Sequence, residues 1–497
     1  MLPRRLSCLM RCGSRSLASK AEDQPQRIRG AAVKRPEFDF DYLLEPVNLE
    51  KIRDEIKARK GVGDIDSLHS TWAEIQSIMG GERKIDEREY ERLWDTLYSE
   101  AARIPNATYA GVPRGGEEQA VVVDVLNPGA KREESGLKTA EQIVHSWRSL
   151  LHPTEAAGQR SYAFIGPLAR LERAVLDYAW TRVQTLGFKP VQVSDLVPRD
   201  IGEACGMMHD GMQYTLDSDR DTALSGTAEM GIAAMLRGTT FPAEQLPLRF
   251  VALSRCFRPE ISKSAAEAKL YRVHEFTKVE MFTVCSPSQS EAELSFLVDV
   301  QKDTLRTLGL HARVLEMPSE ELGASAHRKY DIEAWMPGRK LFGEVSSASN
   351  CTDFQSRRLG IRYSDASGTR HFAHTCNGTA IAVPRALIAI LETFQDEKRK
   401  GSLKEFVRTT HVPGDNIEDS VATCEWPLQS GPLLLWFFSV PSSLRRCSHR
   451  ERRRPPYAPL RAIRPDQQYD VLVELRLPNG SCRSTEESGE VKGDSER

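Results

Sequence analysis

The stretch FVALSRCFRPE, residues 250–260, is followed after a polar loop by RVHEFTKVEMF, residues 272–282. Each run is rich in aromatic and β-branched residues but also carries charged ones, and thirteen residues separate Arg258 from Arg272. The two runs therefore predict neighbouring strands joined by a loop, an arrangement that would bring Arg258 and Glu280 to one surface of a sheet.

Charged side chains within apolar strands have two explanations. Charges are unfavourable to bury unless they pair with one another or with a ligand. A structural ion-pair network is the first explanation. The second is a ligand site, because an arginine can grip a phosphate through two parallel hydrogen bonds, and a carboxylate accepts from an ammonium or a hydroxyl group. The two runs alone leave both open.

The sequence on either side predicts an α+β fold over residues 139–411. Helical periodicity recurs at Leu171–Leu186, Ser288–Leu308 and Ala386–Phe394, and strand-like runs occur at Arg249–Leu253, Thr277–Val284 and Phe372–His374. Because the strands do not alternate regularly with helices, we expect a mostly antiparallel sheet flanked by helices.

Residues 45–106 predict a short α-helical hairpin arm. Asn48 is placed to cap a first helix, and apolar residues repeat at helical spacing over Leu68–Met79 and Tyr90–Ile104. Gly80 and Gly81 separate the last two helices, the second of which would span roughly 27 Å. Residues 107–138 contain glycine, proline and one strand-like run, Ala120–Val125, and are interpreted as a connector.

Both ends of the chain differ from the middle. The first twenty residues hold five basic and four serine residues but no acidic one, which is typical of an organellar transit peptide. We interpret residues 1–35 as a mitochondrial transit peptide; the alternative is a basic disordered tail. Residues 412–497 are interpreted as a largely disordered tail, with eight arginines within 445–464 that could contact RNA or simply be solvated.

Composition excludes several classes of protein. The 497 residues, 55.8 kDa, suggest about three domains. The net charge of -2 argues against a wholly basic nucleic-acid binder. The longest apolar run, Leu433–Val440, is shorter than the ~20 residues needed to cross a membrane, so no membrane association is expected. The ten cysteines form no C-x-x-C pair, and five are expected to be small core residues in a reducing compartment: Cys205, Cys256, Cys285, Cys351 and Cys376.

Glu344 and Ser347 form a second cluster of polar residues. Their oxygens would suit a hard cation such as Mg²⁺, although these residue types are common and the spacing is weak evidence. The sequence contains no G-x-x-x-x-G-K-[ST] loop and no dinucleotide fingerprint within a βαβ unit. A bound nucleotide would therefore have to be held by arginines.

Several separated motifs, in order, resemble those of the class II seryl-tRNA synthetases, and are closest to the mitochondrial type. They cover about residues 90–410 and read SGTAE at 225–229, FRPE at 257–260, RVHEFTKVE at 272–280, FGEVSS at 342–347, SNCTDFQSRR at 349–358, NGTA at 377–380 and PR at 384–385. The resemblance implies an antiparallel catalytic sheet, an N-terminal tRNA-binding arm and a homodimer in the mitochondrial matrix. It also implies that L-serine and ATP form seryl-adenylate, from which serine passes to tRNA-Ser, with Mg²⁺ as the cofactor.

The resemblance also implies roles for individual residues. Arg258 would contact the α-phosphate and the serine carboxylate, and Arg385 the γ-phosphate; these two are the expected catalytic residues. Phe276 would stack on adenine, and Glu344 and Ser347 would hold the metal. The expected serine-binding residues are Thr227, Ala228, Glu229, Glu280 and Thr379. The expected ATP-binding residues are Arg258, Pro259, Glu260, Val273, Phe276, Glu344, Val345, Ser346, Ser347 and Arg385.

Three departures from the family pattern keep a rival function open. Ser194 stands where relatives carry a proline in the motif of the dimer interface, residues 261–269 lack the usual glycines and arginine, and the arm is short. The rival is a catalytically impaired synthetase paralogue that acts as an RNA- or protein-binding dimer. The retained charged ligands favour the ligase.

Overall fold

A computed structural model describes residues 36–81, 83, 85–152, 158, 160–207, 211–260 and 270–395. The transit-peptide prediction, the loop at 261–269 and the tail at 412–497 lie outside these residues. The α-helices in the described part are α1 Phe40–Leu43, α2 Leu49–Ala58, α3 Ile65–Met79, α4 Glu87–Arg103, α5 Ala140–Ser146, α6 Pro167–Thr185, α7 Arg199–Ala204, α8 Ala228–Leu236, α9 Ser290–Thr307, α10 Phe354–Leu359 and α11 Arg385–Thr393.

The strands within the described ranges are short except at the centre of the fold. They are β1 Val121–Leu126, β2 Leu150–Leu151, β3 Ala163–Phe164, β4 Lys189–Pro190, β5 Leu196–Pro198, β6 Thr222–Leu224, β7 Thr240–Pro242, β8 Leu248–Phe257, β9 Glu275–Cys285, β10 Ala312–Glu316, β11 Arg328–Met336, β12 Leu341–Thr352, β13 Arg362–Ser364, β14 Arg370–Phe372 and β15 His374–Val383.

Eight strands form one large sheet in the order β1-β10-β11-β12-β15-β9-β8-β4. Neighbouring strands are antiparallel except β4, which runs parallel to β8 at one edge. The predicted α+β fold with a mostly antiparallel sheet is confirmed. Sequence order and sheet order differ because the β15 strand inserts between β9 and β12.

The two faces of the central strands pack against different helices. In β9, Val279 and Met281 belong to the main core, which includes residues of α6, α9 and α11. Phe282 and Val284 belong to a second core with α7 and α8. Because successive side chains of a strand point to opposite faces, Lys278 and Glu280 project to the face opposite the main core. That face carries the candidate site.

The N-terminal helices form a separate apolar cluster. Helices α3 and α4 pack together as a hairpin, and α2 packs on α3. The Asp64 and Asp86 side chains cap the two hairpin helices by accepting from backbone N–H groups of their first turns. The capping role expected of Asn48 is wrong: its side-chain amide donates 3.0 Å to the carbonyl of Tyr42 and makes no cap bond.

One local strand prediction is confirmed and another needs correction. The strand-like run expected at Ala120–Val125 forms β1, which pairs with β10 as an edge strand of the large sheet. The run Phe372–His374 is not one strand. Phe372 ends β14 in a small three-stranded sheet and His374 begins β15 in the large one, so the chain changes sheets at Ala373.

Two remaining predictions concern the cysteines and membrane-spanning helices. Cys205, Cys256, Cys285, Cys351 and Cys376 are buried free thiols, as expected of small core residues. Among the described helices, none has the length and apolar character to span a bilayer.

Candidate functional site

Arg258 follows directly after β8 and lies beside the start of β9. Its backbone N–H donates 2.9 Å to the carbonyl of His274, which holds it against the start of β9. Its Nε donates 3.3 Å to the carbonyl of Gly226, and its guanidinium lies 5.2 Å above the ring of Phe276. No carboxylate forms an ion pair with it within the described ranges, which leaves most of its donors for a ligand.

The Thr227–Glu229 segment is set against the end of β8. The Phe257 N–H donates to the carbonyl of Ser225, and the Ser225 hydroxyl donates 2.6 Å to the carbonyl of Thr227. Thr227 then caps α8, with its hydroxyl accepting from the Glu229 N–H. The cap places the Glu229 carboxylate in the first turn of α8, where the partial positive charge of a helix N-terminus favours an anion.

Glu229 is a buried carboxylate held by two amides. Gln355 Nε2 and Asn377 Nδ2, the latter at 2.9 Å, both donate to its Oε1 atom. Oε2 accepts no hydrogen bond from the residues that the structure describes. Burial, assisted by the negative charge of Glu280, raises the pKa of Glu229 to about 7.

Lys278, Glu280 and Thr379 lie beside Glu229 on the two central strands. Thr379 and Glu280 are opposite each other in the register of β15 and β9. The Thr379 hydroxyl donates 3.0 Å to Glu280 Oε2, and Lys278 Nζ lies 2.7 Å from the same atom. Lys278 also donates 2.9 Å to the hydroxyl of Thr227. The cluster is buried and contains two carboxylates and one ammonium.

A second charged group lies two strands away. Arg385, at the start of α11, donates from Nη1 to both the carbonyl and the carboxylate of Glu344, at 3.1 and 3.2 Å. Its guanidinium stacks 4.5 Å above the ring of Tyr271, whose carbonyl accepts from its Nε. Burial by itself would raise the pKa of Glu344, but the positive charges of Arg385, Lys329 and Arg258 outweigh burial and lower the pKa to about 2.

Glu344 and Ser347 offer a carboxylate and a hydroxyl oxygen, which are donors suited to a hard cation. Glu344 is ionised at neutral pH, and its side chain remains 42 % exposed to the cleft. Ser347 lies three residues on, opposite Asp331 in β11. Mg²⁺ is usually held by one or two protein oxygens together with substrate phosphates and water, so these residues fit it. No cluster of three or more histidine, cysteine or acidic ligands occurs in the part of the chain described.

The other expected ligands lie in less open positions. Glu260 faces Arg272 at 3.3 Å. Ser346 is buried and its hydroxyl donates to the carbonyl of Thr379, so its side chain is already engaged. Ala228, Val273 and Val345 are buried, and Pro259 is half-buried between Arg258 and Glu260. These residues would therefore contact a ligand mainly through their backbone atoms.

Several residues for which the sequence predicts no role also lie in this site. Gln355 and Asn377 hold Glu229, Lys278 joins Thr227 to Glu280, and Tyr271 supports Arg385. Gln355 is itself oriented by the Thr375 hydroxyl, which donates 2.7 Å to its amide oxygen. A polar residue within a buried strand was the available signal for Lys278. Gln355 and Asn377 lie within motifs, but the groups that they and Tyr271 hold are more than 100 residues away in sequence, so local pattern does not reveal these contacts.

The chain is similar in sequence to proteins of known family. Residues 214–394 match the family model of the tRNA synthetase class II core domain (G, H, P, S and T). The mitochondrial serine–tRNA ligase of Mus musculus is 41% identical over 343 residues, which cover 65% of this chain and 66% of the relative. The mitochondrial enzyme of Schizosaccharomyces pombe is 36% identical over 421 residues, covering 81% and 84%.

A solved structure gives the same answer. The crystal structure of seryl-tRNA synthetase from Pyrococcus horikoshii complexed with ATP superposes with a TM-score of 0.60 at 30% identity, covering 75% of this chain and 88% of that one. The fold and core domain thus define a class II aminoacyl-tRNA synthetase. Within that class, the chain belongs to the seryl-tRNA synthetase family and is similar to its mitochondrial members. It spans just under two thirds of the Mus musculus relative, 66%, and 61% of the mitochondrial serine–tRNA ligase of Bos taurus.

Proposed function

We propose that the protein is a mitochondrial serine–tRNA ligase, which activates L-serine with ATP and transfers it to mitochondrial tRNA-Ser. The observation that carries the proposal is the pairing of two sites on one sheet face. The pocket of Glu229, Glu280 and Thr379 offers partners for an ammonium and a hydroxyl group, and Arg258 beside it offers free donors for phosphate or carboxylate.

In the first step, a serine carboxylate oxygen attacks the α-phosphorus of ATP, the bond to the β-phosphate oxygen breaks, and pyrophosphate leaves. Oε2 of Glu229 would accept from the serine ammonium, and Oε1 of Glu280 from the serine hydroxyl. Arg258 would stabilise charge on the phosphoryl oxygens, since its donors are fixed before reaction. Positioning of two bound reactants can supply much of the acceleration without a covalent nucleophile.

ATP would lie along the sheet face that carries Lys278 and Glu280. Phe276, beneath Arg258, would stack on the adenine, and Glu260 would contact it. Arg385, held by Tyr271 and Glu344, would contact the γ-phosphate. When bound, Mg²⁺ held by Glu344 and Ser347 would neutralise phosphate charge. In the second step, a terminal hydroxyl of tRNA attacks the seryl carbonyl, and AMP leaves.

A homodimer is part of the same proposal. Near the β4 edge, Leu196 and Met235 are exposed at 49% and 47% on adjoining elements. Ser194, where the resemblance implies a proline, is also exposed, and its hydroxyl accepts a 3.0 Å hydrogen bond from the Leu196 N–H. Light scattering during gel filtration should report twice the mass of one chain, and Leu196→Asp should reduce the measured mass to that of a single chain.

The deciding experiment is serine-dependent ATP–pyrophosphate exchange, with alanine and threonine as controls. Exchange with serine alone is expected. Absence of exchange from a folded dimer would contradict activation and favour a non-catalytic paralogue. Aminoacylation of mitochondrial tRNA-Ser transcripts then tests the transfer step, and matrix location is tested by fractionation of cells that express the full chain.

A further inference from the structure

Lys278 is the only ammonium of the described residues that touches two side chains of the proposed serine pocket. It is 5% exposed, in the middle of β9. Its Nζ lies 2.9 Å from the Thr227 hydroxyl oxygen and 2.7 Å from Glu280 Oε2. The reaction as proposed gives it no contact with either substrate, so its function must be sought in these two neighbours.

The first neighbour is Thr227. An ammonium group can only donate, so the Thr227 oxygen accepts from Lys278. The same oxygen also accepts, at 3.4 Å, from the backbone N–H of Glu229. A hydroxyl oxygen has two lone pairs, and both are therefore directed at donors. The single hydroxyl hydrogen of Thr227 is left to donate to a third partner.

The second neighbour is Glu280. Lys278 and the Thr379 hydroxyl both contact its Oε2 atom, at 2.7 and 3.0 Å. Its Oε1 atom accepts from none of the side chains that the structure describes. Since Glu280 is 2% exposed, water replaces a missing partner only poorly. The carboxylate is therefore held with one oxygen occupied and the other available.

We propose that Lys278 is a positioning residue for amino-acid selection: it directs the Thr227 hydroxyl as a donor and Glu280 Oε1 as an acceptor toward the bound amino acid. The inference rests on the proposed function of this site. A substrate hydroxyl can donate to Glu280 while accepting from a donor. Alanine would leave these buried groups unpaired, which is how a polar site rejects an analogue without the hydroxyl.

The test replaces Lys278 with methionine, which has similar length and no charge. Calorimetry with two non-hydrolysable probes, seryl- and alanyl-sulfamoyl adenosine, would give the discrimination ratio of the wild type and the variant. The ratio should fall by about tenfold or more, since one buried hydrogen bond is being misdirected. In exchange assays the KM for serine should rise, while the KM for ATP should stay within about twofold.

Three further variants serve as controls for the effects of charge and of folding. Lys278→Arg keeps the positive charge and should retain most of the discrimination. Lys278→Gln is a second neutral variant, with the same expected loss, if the methionine variant fails to fold. Lys302→Met removes a lysine that pairs with Asp124 far from the pocket, and should change neither probe's affinity.

Equal loss of affinity for both probes in the neutral variants would show that Lys278 is merely structural, and an unchanged ratio would also overturn the proposal. Failure of the proposed function would look different: the wild-type protein itself would neither prefer the seryl probe nor exchange pyrophosphate with serine.

Discussion

At the scale of single residues, the site separates charges that are neutralised from charges that are left available. Glu344 is ion-paired by Arg385, and Glu280 by Lys278. The Arg258 guanidinium has instead one carbonyl and one ring as partners among the described residues. A guanidinium without a carboxylate is the group most ready to bind a phosphate.

We expect Arg258→Ala to lower the rate of adenylate formation by about 100-fold or more, the size of effect seen when a donor to developing charge is removed. Pyrophosphate exchange measures the rate, and filter binding should show tRNA affinity largely unchanged. The matched control is Arg255→Ala three residues away, where the arginine is exposed and paired with Glu275. Near-normal exchange by Arg258→Ala would contradict the assignment.

Glu229 gives the site a pH dependence. Its pKa is raised to about 7, primarily by burial, and its ionised form binds the serine ammonium more strongly than the neutral form would. The groups around it are Glu280, Lys278, Arg258, Gln355, Asn377, Cys205 and Cys351. Serine affinity is therefore lost as pH falls through about 7. The KM for serine should be about tenfold higher at pH 6 than at pH 8.

Exchange kinetics across this pH range provide the measurement, with the KM for ATP as the internal reference. Glu229→Gln should bind serine weakly at every pH and lose the dependence on pH. A serine KM that is flat between pH 6 and 8 in the wild type would exclude Glu229 as the titrating ligand.

At the scale of elements, the β12 strand supports the proposed ATP-binding side of the site through close packing. A Cβ atom on Gly343 would lie 2.7 Å from Met336 Cε and 2.8 Å from the Tyr271 ring. Tyr271 in turn supports Arg385 from below. The glycine therefore permits the Tyr271 ring to approach the strand, and the ring in turn positions the Arg385 guanidinium that stacks on it.

Gly343→Ala should displace Tyr271 and with it Arg385, raising the KM for ATP by about tenfold, because sub-ångström misplacement weakens charged contacts. The KM for serine should change much less, since its pocket lies on other strands. Gly129→Ala is the matched control, because nothing lies within 4 Å of its added Cβ. An unchanged KM for ATP would show that Tyr271 does not position Arg385.

At the scale of the whole molecule, Arg59 fastens the N-terminal helices to the catalytic sheet. At the end of α2 its guanidinium donates to the carbonyls of Asn106, Gly323 and Ala326, the last at 2.7 Å. The side chain is buried, and burial lowers its pKa to about 10, so it is still charged at neutral pH. The guanidinium thus joins chain segments more than 200 residues apart.

Arg59→Met should lower the free energy of unfolding by roughly 3 kcal/mol, because buried carbonyls lose their donors. Urea denaturation monitored by tryptophan fluorescence gives the value. Arg83→Met is the comparison, since Arg83 is half exposed and its pairs with Glu74 and Glu89 lie on the surface. It should change stability by less than about 1 kcal/mol. Equal effects from both variants would contradict the anchoring role.

The charge of the arm bears on the proposed tRNA contact. Residues 45–106 contain fourteen acidic and ten basic side chains. Net negative charge opposes non-specific binding to phosphates. If the arm binds tRNA as proposed, shape and a few placed contacts must provide the affinity, as is common for double-stranded RNA.

Patterns along the chain are enough to predict the main elements and the chemical types of the expected ligands. The long strands β8 and β9, the helices α6 and α9, and the α+β class follow from local periodicity, which needs only neighbouring residues. The motifs around Arg258, Glu280 and Glu344 likewise stand out locally, because charged residues are rare within apolar strands.

Which of these groups come into contact depends on how the chain folds. Asn377 and Gln355 reach Glu229 across more than 100 residues of sequence, and the valines of β1 are a sheet edge only because β10 lies beside them. The amide of Asn48 turned to the Tyr42 carbonyl rather than to its own helix. Periodicity reports which face of an element is apolar, whereas the choice of a hydrogen-bond partner depends on packing between elements distant in sequence, so it appears only when the chain is folded.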